Sequence, residues 1–221
     1  MTDFLLQLDE NIFLALHHLH RSSFADDVMW LISSKWTWVP MYVALLYWIS
    51  SRQGWRRALV WTLAIVLAVA IADQVCASVI RPFVGRLRPA NLDNPLSSLV
   101  YIVRDYRGGA NGFPSCHAAN TFAVAGVVAL AFRNRSLTFW FLFWALINCL
   151  SRIYLGVHYP GDLLVGAVIG MLAGWGCVGL AKCGIRKWVP GEAKIEDRGM
   201  QNPVVIVGIL TAVVVCVVSL F

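Results

Sequence analysis

Long apolar segments dominate this sequence and constrain its fold more than any other feature. A helix needs about 20 apolar residues to span a bilayer, and several segments approach or reach that length. They lie at 58–80, 118–132, 137–155, 162–181 and 203–221. Since 59% of the residues are hydrophobic and 14% are charged, the chain has too little polar surface to coat a soluble globule. The sequence therefore predicts a single all-α domain over residues 1–221 that is an integral, multi-pass membrane protein.

A more polar segment precedes these five. Residues 27–50 contain Trp and Tyr side chains suited to the headgroup boundary, and they complete a predicted set of six transmembrane helices. Residues 2–20 place apolar side chains near one face at helical spacing, which predicts an N-terminal interfacial helix lying on the membrane. Those side chains are Phe4, Leu5, Leu8, Ile12, Leu16 and Leu19. The acidic residues of this helix and its lack of a basic start argue against a cleaved targeting segment.

The basic residues fall in short clusters between the apolar segments, although the formal net charge is +6. That distribution is typical of membrane orientation and phosphate binding, and it argues against a nucleic-acid partner. The six cysteines lie mostly inside apolar runs and form no Cys-x-x-Cys pair. We therefore interpret them as buried small residues and not as a disulfide or metal framework.

Loop charges set the expected orientation. The loops at 51–57, 133–136 and 182–200 share one side of the membrane and are rich in Arg and Lys. The positive-inside rule places that side in the cytoplasm. We expect a bacterial inner membrane protein whose segments at 81–116 and 156–160 face the periplasm or the exterior.

One long polar break, at 81–117, interrupts the apolar sequence. It contains Arg81, Arg86 and Arg88 and a glycine-rich run at 108–112. Guanidinium groups hold phosphate oxygens bidentately and stay charged at physiological pH, which makes Arg81 and Arg88 candidate anion ligands. The alternative is that these arginines only extend to lipid headgroups at the membrane edge, and Arg86 fits that alternative best.

Two histidines add chemistry to this pattern. Ser115 precedes a helical run, where it would cap the helix and leave free N–H groups as a phosphate cradle. His117 lies in the first turn of that run, near the same anion, unless it is only a polar boundary residue. His158 and Asp162 are four residues apart, and this spacing places both on one face if the fifth span begins at His158 or just before it, although Pro160 and Gly161 lie between them. The carboxylate would then fix the imidazole tautomer, or the pair would merely close a turn.

In order and spacing, these residues resemble the three motifs of the type 2 phosphatidic acid phosphatase (PAP2) superfamily. The family patterns are Lys-x6-Arg-Pro, Pro-Ser-Gly-His and Ser-Arg-x5-His-x3-Asp. This sequence reads Arg81-x6-Arg88-Pro89, Pro114-Ser115-Cys116-His117 and Ser151-Arg152-x5-His158-x3-Asp162. Arg81 thus replaces the family's lysine, and Cys116 replaces its glycine. The resemblance covers about 28–181, the motif-bearing core, and leaves the sixth span at about 203–221 outside it.

The resemblance implies a metal-independent phosphatase that works by two displacements at phosphorus. His158 would form a phosphohistidine, Asp162 would orient it, and His117 would protonate the leaving oxygen. The phosphate would be held by Arg81, Arg88, Ser115, Cys116 and Arg152. No cofactor would be needed.

A site at the membrane boundary suits a lipid phosphate whose tail stays in the bilayer. Undecaprenyl diphosphate is the first expectation, with lipid A and phosphatidylglycerol phosphate as alternatives. The loop at 90–112, with Arg104, Asp105 and Arg107, would shape the choice of headgroup. Two other classes stay open: a lipid phosphotransferase that uses the same phosphohistidine, and a non-catalytic lipid-binding or transport protein that would not need His158.

Overall fold

The computed structural model describes residues 2–18, 21–189 and 202–220. Within these ranges the chain is helical, with one isolated bridge and no strand. The helices are α1 (Thr2–His17), α2 (Ser23–Ser33), α3 (Val39–Gln53), α4 (Trp55–Gln74), α5 (Arg81–Val84), α6 (Cys116–Phe132), α7 (Arg135–Tyr154), α8 (Pro160–Trp188) and α9 (Pro203–Val218). The all-α prediction is confirmed. Most of the predicted loop at 182–200 lies outside the described residues, and α8 continues through its first part.

Three helical segments among the described residues are long and apolar enough to cross a membrane: Trp55–Val84, Arg135–Tyr154 and Pro160–Trp188. The first of these consists of α4 and α5 joined by the π-helical turn Val75–Ile80. The helices α6 and α9 are apolar but shorter. The chain is therefore an integral membrane protein, and the count of six spans stays a prediction.

The predicted first span at 27–50 is not one continuous helix. Ser34 is extended after α2, a 3-10 turn follows, and α3 carries Pro40 in its first turn. A proline ring clashes with the carbonyl group four residues earlier and removes a backbone donor, which breaks the helix before it. The carbonyl groups at the end of α2 are satisfied by side chains instead, since Thr37 Oγ1 donates to Leu31 and Trp38 Nε1 donates to Ile32.

The helix α6 lies at the centre of the bundle and packs most extensively against α8. The buried face of α8 carries Gly166, Gly170 and Gly174, four residues apart. Since residues four apart share a helix face, these glycines let the backbones of the two helices approach closely, as small residues do in membrane bundles. The contact fixes the start of α6 against the start of α8, where the candidate site lies.

Replacing Gly170 by alanine is expected to destabilise the bundle by about 1–3 kcal/mol, the usual cost of overpacking. The new β-carbon would overlap the carbonyl oxygen of Ala119 and lie 2.8 Å from the Ala123 nitrogen. Gly176, on the same helix, has open space around it, so Gly176→Ala should match or exceed the wild type in stability. Thermal unfolding of the purified protein measures both. Equal midpoints for the two variants would contradict the close packing.

The end of α5, the start of α6, the end of α7 and the start of α8 meet at one end of the bundle, because successive helices run in opposite directions. The helix α1 packs there too, with Phe13 fully buried and its ring 5.3 Å from that of Tyr159. Its predicted apolar face is the exposed one, and Phe4, Leu5, Leu8 and Ile12 lie on it. Leu19 lies outside the described residues. The interfacial position of α1 stays a prediction.

Candidate active site

His158 lies in the turn before α8 and is 2% exposed. Its Nδ1 is 3.3 Å from Asp162 Oδ2, and its Nε2 is 2.9 Å from Arg88 Nη1. A guanidinium group can only donate hydrogen bonds, so Nε2 must be the acceptor and Nδ1 must carry the proton that points to Asp162. This assignment leaves a lone pair on Nε2 directed at the arginine. The predicted pairing of His158 with Asp162 is present.

Asp162 is fully buried at the start of α8. Its Oδ2 also accepts the Tyr159 N–H at 3.0 Å, and its Oδ1 accepts from Arg86 Nη1 at 3.2 Å. Its carbonyl oxygen accepts the Ser115 N–H at 3.0 Å. Asp162 therefore caps α8, orients His158 and ties the start of α6 to the start of α8.

Arg88 is buried and held at several points around His158. Its Nη1 donates to the Val157 carbonyl at 3.1 Å, and its Nε donates to the Asn111 carbonyl at 3.2 Å. The glycine-rich run pairs with this segment, since the Arg88 N–H donates to Ala110. A β-carbon on Gly112 would lie 3.1 Å from Arg88 Cγ and 3.0 Å from Asp162 Oδ2. Glycine in this run thus lets the loop backbone lie directly against the Arg88 and Asp162 side chains.

The start of α6 presents the predicted cradle. Ser115 is buried, its Oγ accepts the Ala118 N–H at 3.4 Å, and its carbonyl accepts the Ala119 N–H at 3.0 Å. The N–H groups of Cys116 and His117 then have no partner within the helix. The Nε2 atom of His117 is buried and has no hydrogen-bond partner. Two backbone donors and one imidazole nitrogen are thus available to a ligand.

The two other predicted arginines flank this helix start. Arg152 donates from Nη1 to Ser33 Oγ at 2.6 Å and from Nη2 to Tyr106 OH at 3.2 Å. Arg81 donates from Nη2 to the Pro114 carbonyl and to Cys116 Sγ, both at 2.9 Å. The Nε atoms of both arginines are buried without partners. All eight predicted site residues therefore lie at one end of the bundle, although Ser115 and Cys116 use their side chains in contacts within the protein.

Burial and the positive charges of Arg88 and Arg152 lower the pKa of His158 well below its usual value of 6.5. Burial and the neighbouring Arg152 also lower the pKa of Arg88, to about 10. At neutral pH the site thus combines a neutral imidazole with guanidinium groups that stay protonated. That combination favours attack by nitrogen on an anion.

The interpretation of Arg86 as a headgroup arginine is wrong. Its side chain is 17% exposed, its guanidinium stacks on the Tyr159 ring at 3.8 Å, and its Nη1 lies 2.6 Å from Asp9 Oδ2 as well as 3.2 Å from Asp162 Oδ1. Asp9 Oδ1 also accepts the Gly161 N–H at 2.7 Å. Sequence reasoning missed Asp9 because no local pattern links α1 to a residue more than 150 positions away.

Two further polar residues contact the site. Asn148 lines the same cavity as His117 and Arg152, and its position one turn before Arg152 on α7 was a signal that could have found it. In the loop at 90–112, Tyr106 reaches Arg152, whereas Arg104 pairs with the half-exposed Asp27 at 2.7 Å. Among the described residues no group of three or more His, Cys, Asp or Glu side chains could hold a metal ion.

A cavity of about 790 Å³ opens from His117 and Arg152 into the bundle. It lies between α4 and α7, with α6 behind it and the residues around Trp38 and Tyr42 on a third side. Val66 lines the cavity and is 59% exposed on the outer surface of α4. The cavity is therefore open toward the surrounding bilayer, and its volume is in the range of ligand sites.

Comparisons with known proteins agree with this geometry. The sequence profile of the PAP2 superfamily matches residues 60–182. A lipid A 4'-phosphatase of Bacteroides thetaiotaomicron is 47% identical over 79% of this chain and 77% of that protein. The undecaprenyl-diphosphatase BcrC of Bacillus subtilis is 25% identical over 76% of this chain and 81% of that protein. A crystal structure of a PAP2-type phosphatidylglycerolphosphate phosphatase from Bacillus subtilis superposes with a TM-score of 0.57 at 22% identity, and covers 83% of this chain and 87% of that one.

Proposed function

Because the chain belongs to the PAP2 superfamily, we propose that it hydrolyses a phosphate ester of a lipid A-type glycolipid, at a site that faces the periplasm. The observation that carries the chemistry is a pair of imidazoles at one anion site. The lone pair on His158 Nε2 faces Arg88, and the Nε2 of His117 has no partner. The relative at 47% identity, a lipid A 4'-phosphatase, supports the glycolipid as substrate.

In the first step, His158 Nε2 attacks phosphorus, and the bond from phosphorus to the leaving oxygen breaks. His117, cationic at this point, gives its proton to that oxygen, and the free alcohol departs. Arg88 must turn from Nε2 to the phosphate oxygens, since its Nη1 occupies the place that phosphorus takes. Asp162 holds the Nδ1 proton and balances the positive charge that forms on the imidazole.

In the second step, water attacks the phosphohistidine. The neutral His117 takes a proton from the water, the bond from phosphorus to nitrogen breaks, and inorganic phosphate leaves together with a neutral His158. Arg88, Arg152, Arg81 and the N–H groups at the start of α6 stabilise the equatorial oxygens in both transition states. Arg81 in place of lysine retains the charge, and Cys116 in place of glycine retains the N–H group.

Phosphate release by the detergent-purified protein tests the proposal. The lipids compared are a glucosamine-based lipid phosphate of lipid A type, undecaprenyl diphosphate and phosphatidylglycerol phosphate. We expect the highest kcat/KM for the glycolipid. Higher values for undecaprenyl diphosphate would favour the second candidate, which the likeness to BcrC supports, and release that depends on an added lipid acceptor would indicate a phosphotransferase.

The acid limb of kcat/KM is expected to lie below pH 6.5. Since the pKa of His158 is lowered well below that value, its neutral form is lost only as the pH falls through the lowered pKa, and the nucleophile stays neutral at pH 6.5 and above. Initial rates from about pH 4 to pH 8 measure this limb. The phosphate ester of the substrate itself titrates near pH 6. Its titration is therefore measured by phosphorus NMR, and the kcat/KM profile is corrected for the fraction of substrate in each ionisation state. A corrected limb centred at or above pH 6.5 would contradict the buried, neutral nucleophile.

A further inference from the structure

The cavity next to His117 is mainly apolar, and its polar lining residues include one carboxylate. Trp38, Tyr42, Val69, Val124 and Trp144 form much of its wall. Within the described chain, Asp73 of α4 is the one acidic residue that lines the cavity, and Asn120 of α6 lies beside it. A carboxylate inside a membrane bundle is costly and is a functional candidate by default.

The two side chains leave acceptor atoms without partners. Asn120 Nδ2 donates to Asp73 Oδ1 at 3.0 Å. Asn120 Oδ1 is buried and has no hydrogen-bond partner, and no described residue bonds to Asp73 Oδ2. A hydrogen bond that served only to join α4 to α6 would not need these two free oxygens. A buried acceptor without a partner at the wall of a cavity, here Asn120 Oδ1, indicates a missing donor.

Asp73 and Asn120 also lie deeper in the bundle than His117. Asn120 is three residues after His117 on α6, which places it on the same face and about 5 Å deeper in the bundle. His117 faces the leaving oxygen of the substrate. The group bonded to that oxygen must therefore extend from His117 into the cavity, toward Asn120 and Asp73.

We propose that Asp73 and Asn120 form a subsite that accepts hydrogen bonds from the sugar ring bonded to the departing oxygen. Both free atoms can only accept, so the ligand must donate, and the hydroxyl and amide groups of an acylated glucosamine do so. This inference rests on the proposed glycolipid substrate and adds the residues that would recognise its sugar.

The same subsite disfavours a lipid diphosphate. In a polyprenyl diphosphate, the group bonded to the leaving oxygen is a second phosphate, which is anionic and has no donor at neutral pH. Asp73 would repel that phosphate, and like charges brought together at a binding site reduce affinity. The arginines hold the terminal phosphate of either lipid, so the difference between the two substrates arises at Asp73 and Asn120.

Equilibrium binding in the His158→Ala background tests the subsite without turnover. The probes are a radiolabelled glucosamine-based lipid phosphate and radiolabelled undecaprenyl diphosphate, each added to protein in detergent. Asp73→Asn is expected to weaken glycolipid binding at least about 10-fold, the worth of a hydrogen bond to a charged acceptor, and to leave diphosphate binding unchanged or tighter. Asn120→Ala should change affinity in the same direction, and it provides a second variant if Asp73→Asn does not elute as a single species.

Gln74→Ala is the matched control. Gln74 neighbours Asp73 on α4 but is exposed on the lipid-facing surface and accepts from Ser78 Oγ at 2.9 Å, so its loss should change neither affinity. The subsite would be overturned if Asp73→Asn weakened the binding of both lipids equally or left glycolipid binding unchanged. It would also be overturned if the protein did not bind the glycolipid at all. Wild-type phosphate release is scored separately: selective binding without release would refute the proposed function and leave the subsite standing.

Discussion

Replacing His158 by alanine is expected to reduce phosphate release about 10,000-fold or more, the usual consequence of removing a nucleophile. Among the described site residues, His158 is the one whose imidazole directs a lone pair, on Nε2, at a guanidinium group. Its other nitrogen, Nδ1, faces the buried carboxylate of Asp162. Without it the proposed phosphohistidine cannot form, because the arginines and the N–H groups at the start of α6 only donate hydrogen bonds and His117 serves to transfer protons. Steady-state kcat with the glycolipid phosphate measures the loss.

Two controls make this result specific. His18→Ala removes an exposed histidine that directly follows α1 and should leave kcat within a factor of about two, as exposed substitutions usually do. Rapid quenching with labelled substrate should trap an acid-labile phosphoprotein in the wild type and none in His158→Ala. A variant that retained more than about one hundredth of the rate would exclude a covalent intermediate at this residue, and unchanged lipid binding with no turnover in either protein would favour the non-catalytic alternative.

The candidate site residues could be predicted because they stand in three short motifs at fixed spacing. His158 and Asp162 are one helical turn apart, Ser115 and His117 flank a helix start, and both pairs need only local geometry. The apolar segments likewise predicted the helices α4 and α6 to α9, since hydrophobic length alone requires them. The motifs could not predict which hydrogen bond each atom makes. The capping of α6 by Ser115 Oγ is one example.

The contacts that sequence reasoning missed join distant parts of the chain. Arg86 bonds to Asp9, 77 residues away, and to Asp162, 76 residues away, and neither spacing has a periodic signature. The break between α2 and α3 was missed for a different reason. The composition of the segment 27–50 suits a membrane span. The helix is interrupted by Pro40 and by the side-chain hydrogen bonds that Thr37 and Trp38 donate to the end of α2.

Asp9 and Arg86 together show that α1 belongs to the site. The carboxylate of Asp9 holds both Arg86 and the Gly161 N–H, and Arg86 in turn bonds to Asp162. The exposed apolar face of α1 suits the bilayer surface, while its polar face supports the residue that orients His158. The positions of α1 and of Asp162 are thereby linked through one guanidinium group.

Asp162→Asn is expected to lower kcat about 1,000- to 10,000-fold with a much smaller change in KM, as when the orienting carboxylate of a catalytic histidine is replaced by an amide. Three donors converge on this carboxylate: His158 Nδ1–H and Tyr159 N–H on Oδ2, and Arg86 Nη1–H on Oδ1. An amide offers one acceptor and one donor. If its oxygen faces His158 and Tyr159, its NH₂ group faces Arg86; if the amide is reversed, the NH₂ group faces His158.

Either orientation of the amide places its NH₂ group against another buried donor. In the reversed orientation, the NH₂ group favours the His158 tautomer that carries its proton on Nε2, and that nitrogen then cannot attack phosphorus. The change therefore acts on the chemical step more than on binding, since the phosphate ligands Arg88 and Arg152 are untouched. Asp27→Asn is the matched control, because Asp27 forms an exposed ion pair with Arg104, and exposed pairs contribute little. A loss confined to KM, or a loss of similar size in Asp27→Asn, would show that Asp162 serves only to close the turn at the start of α8.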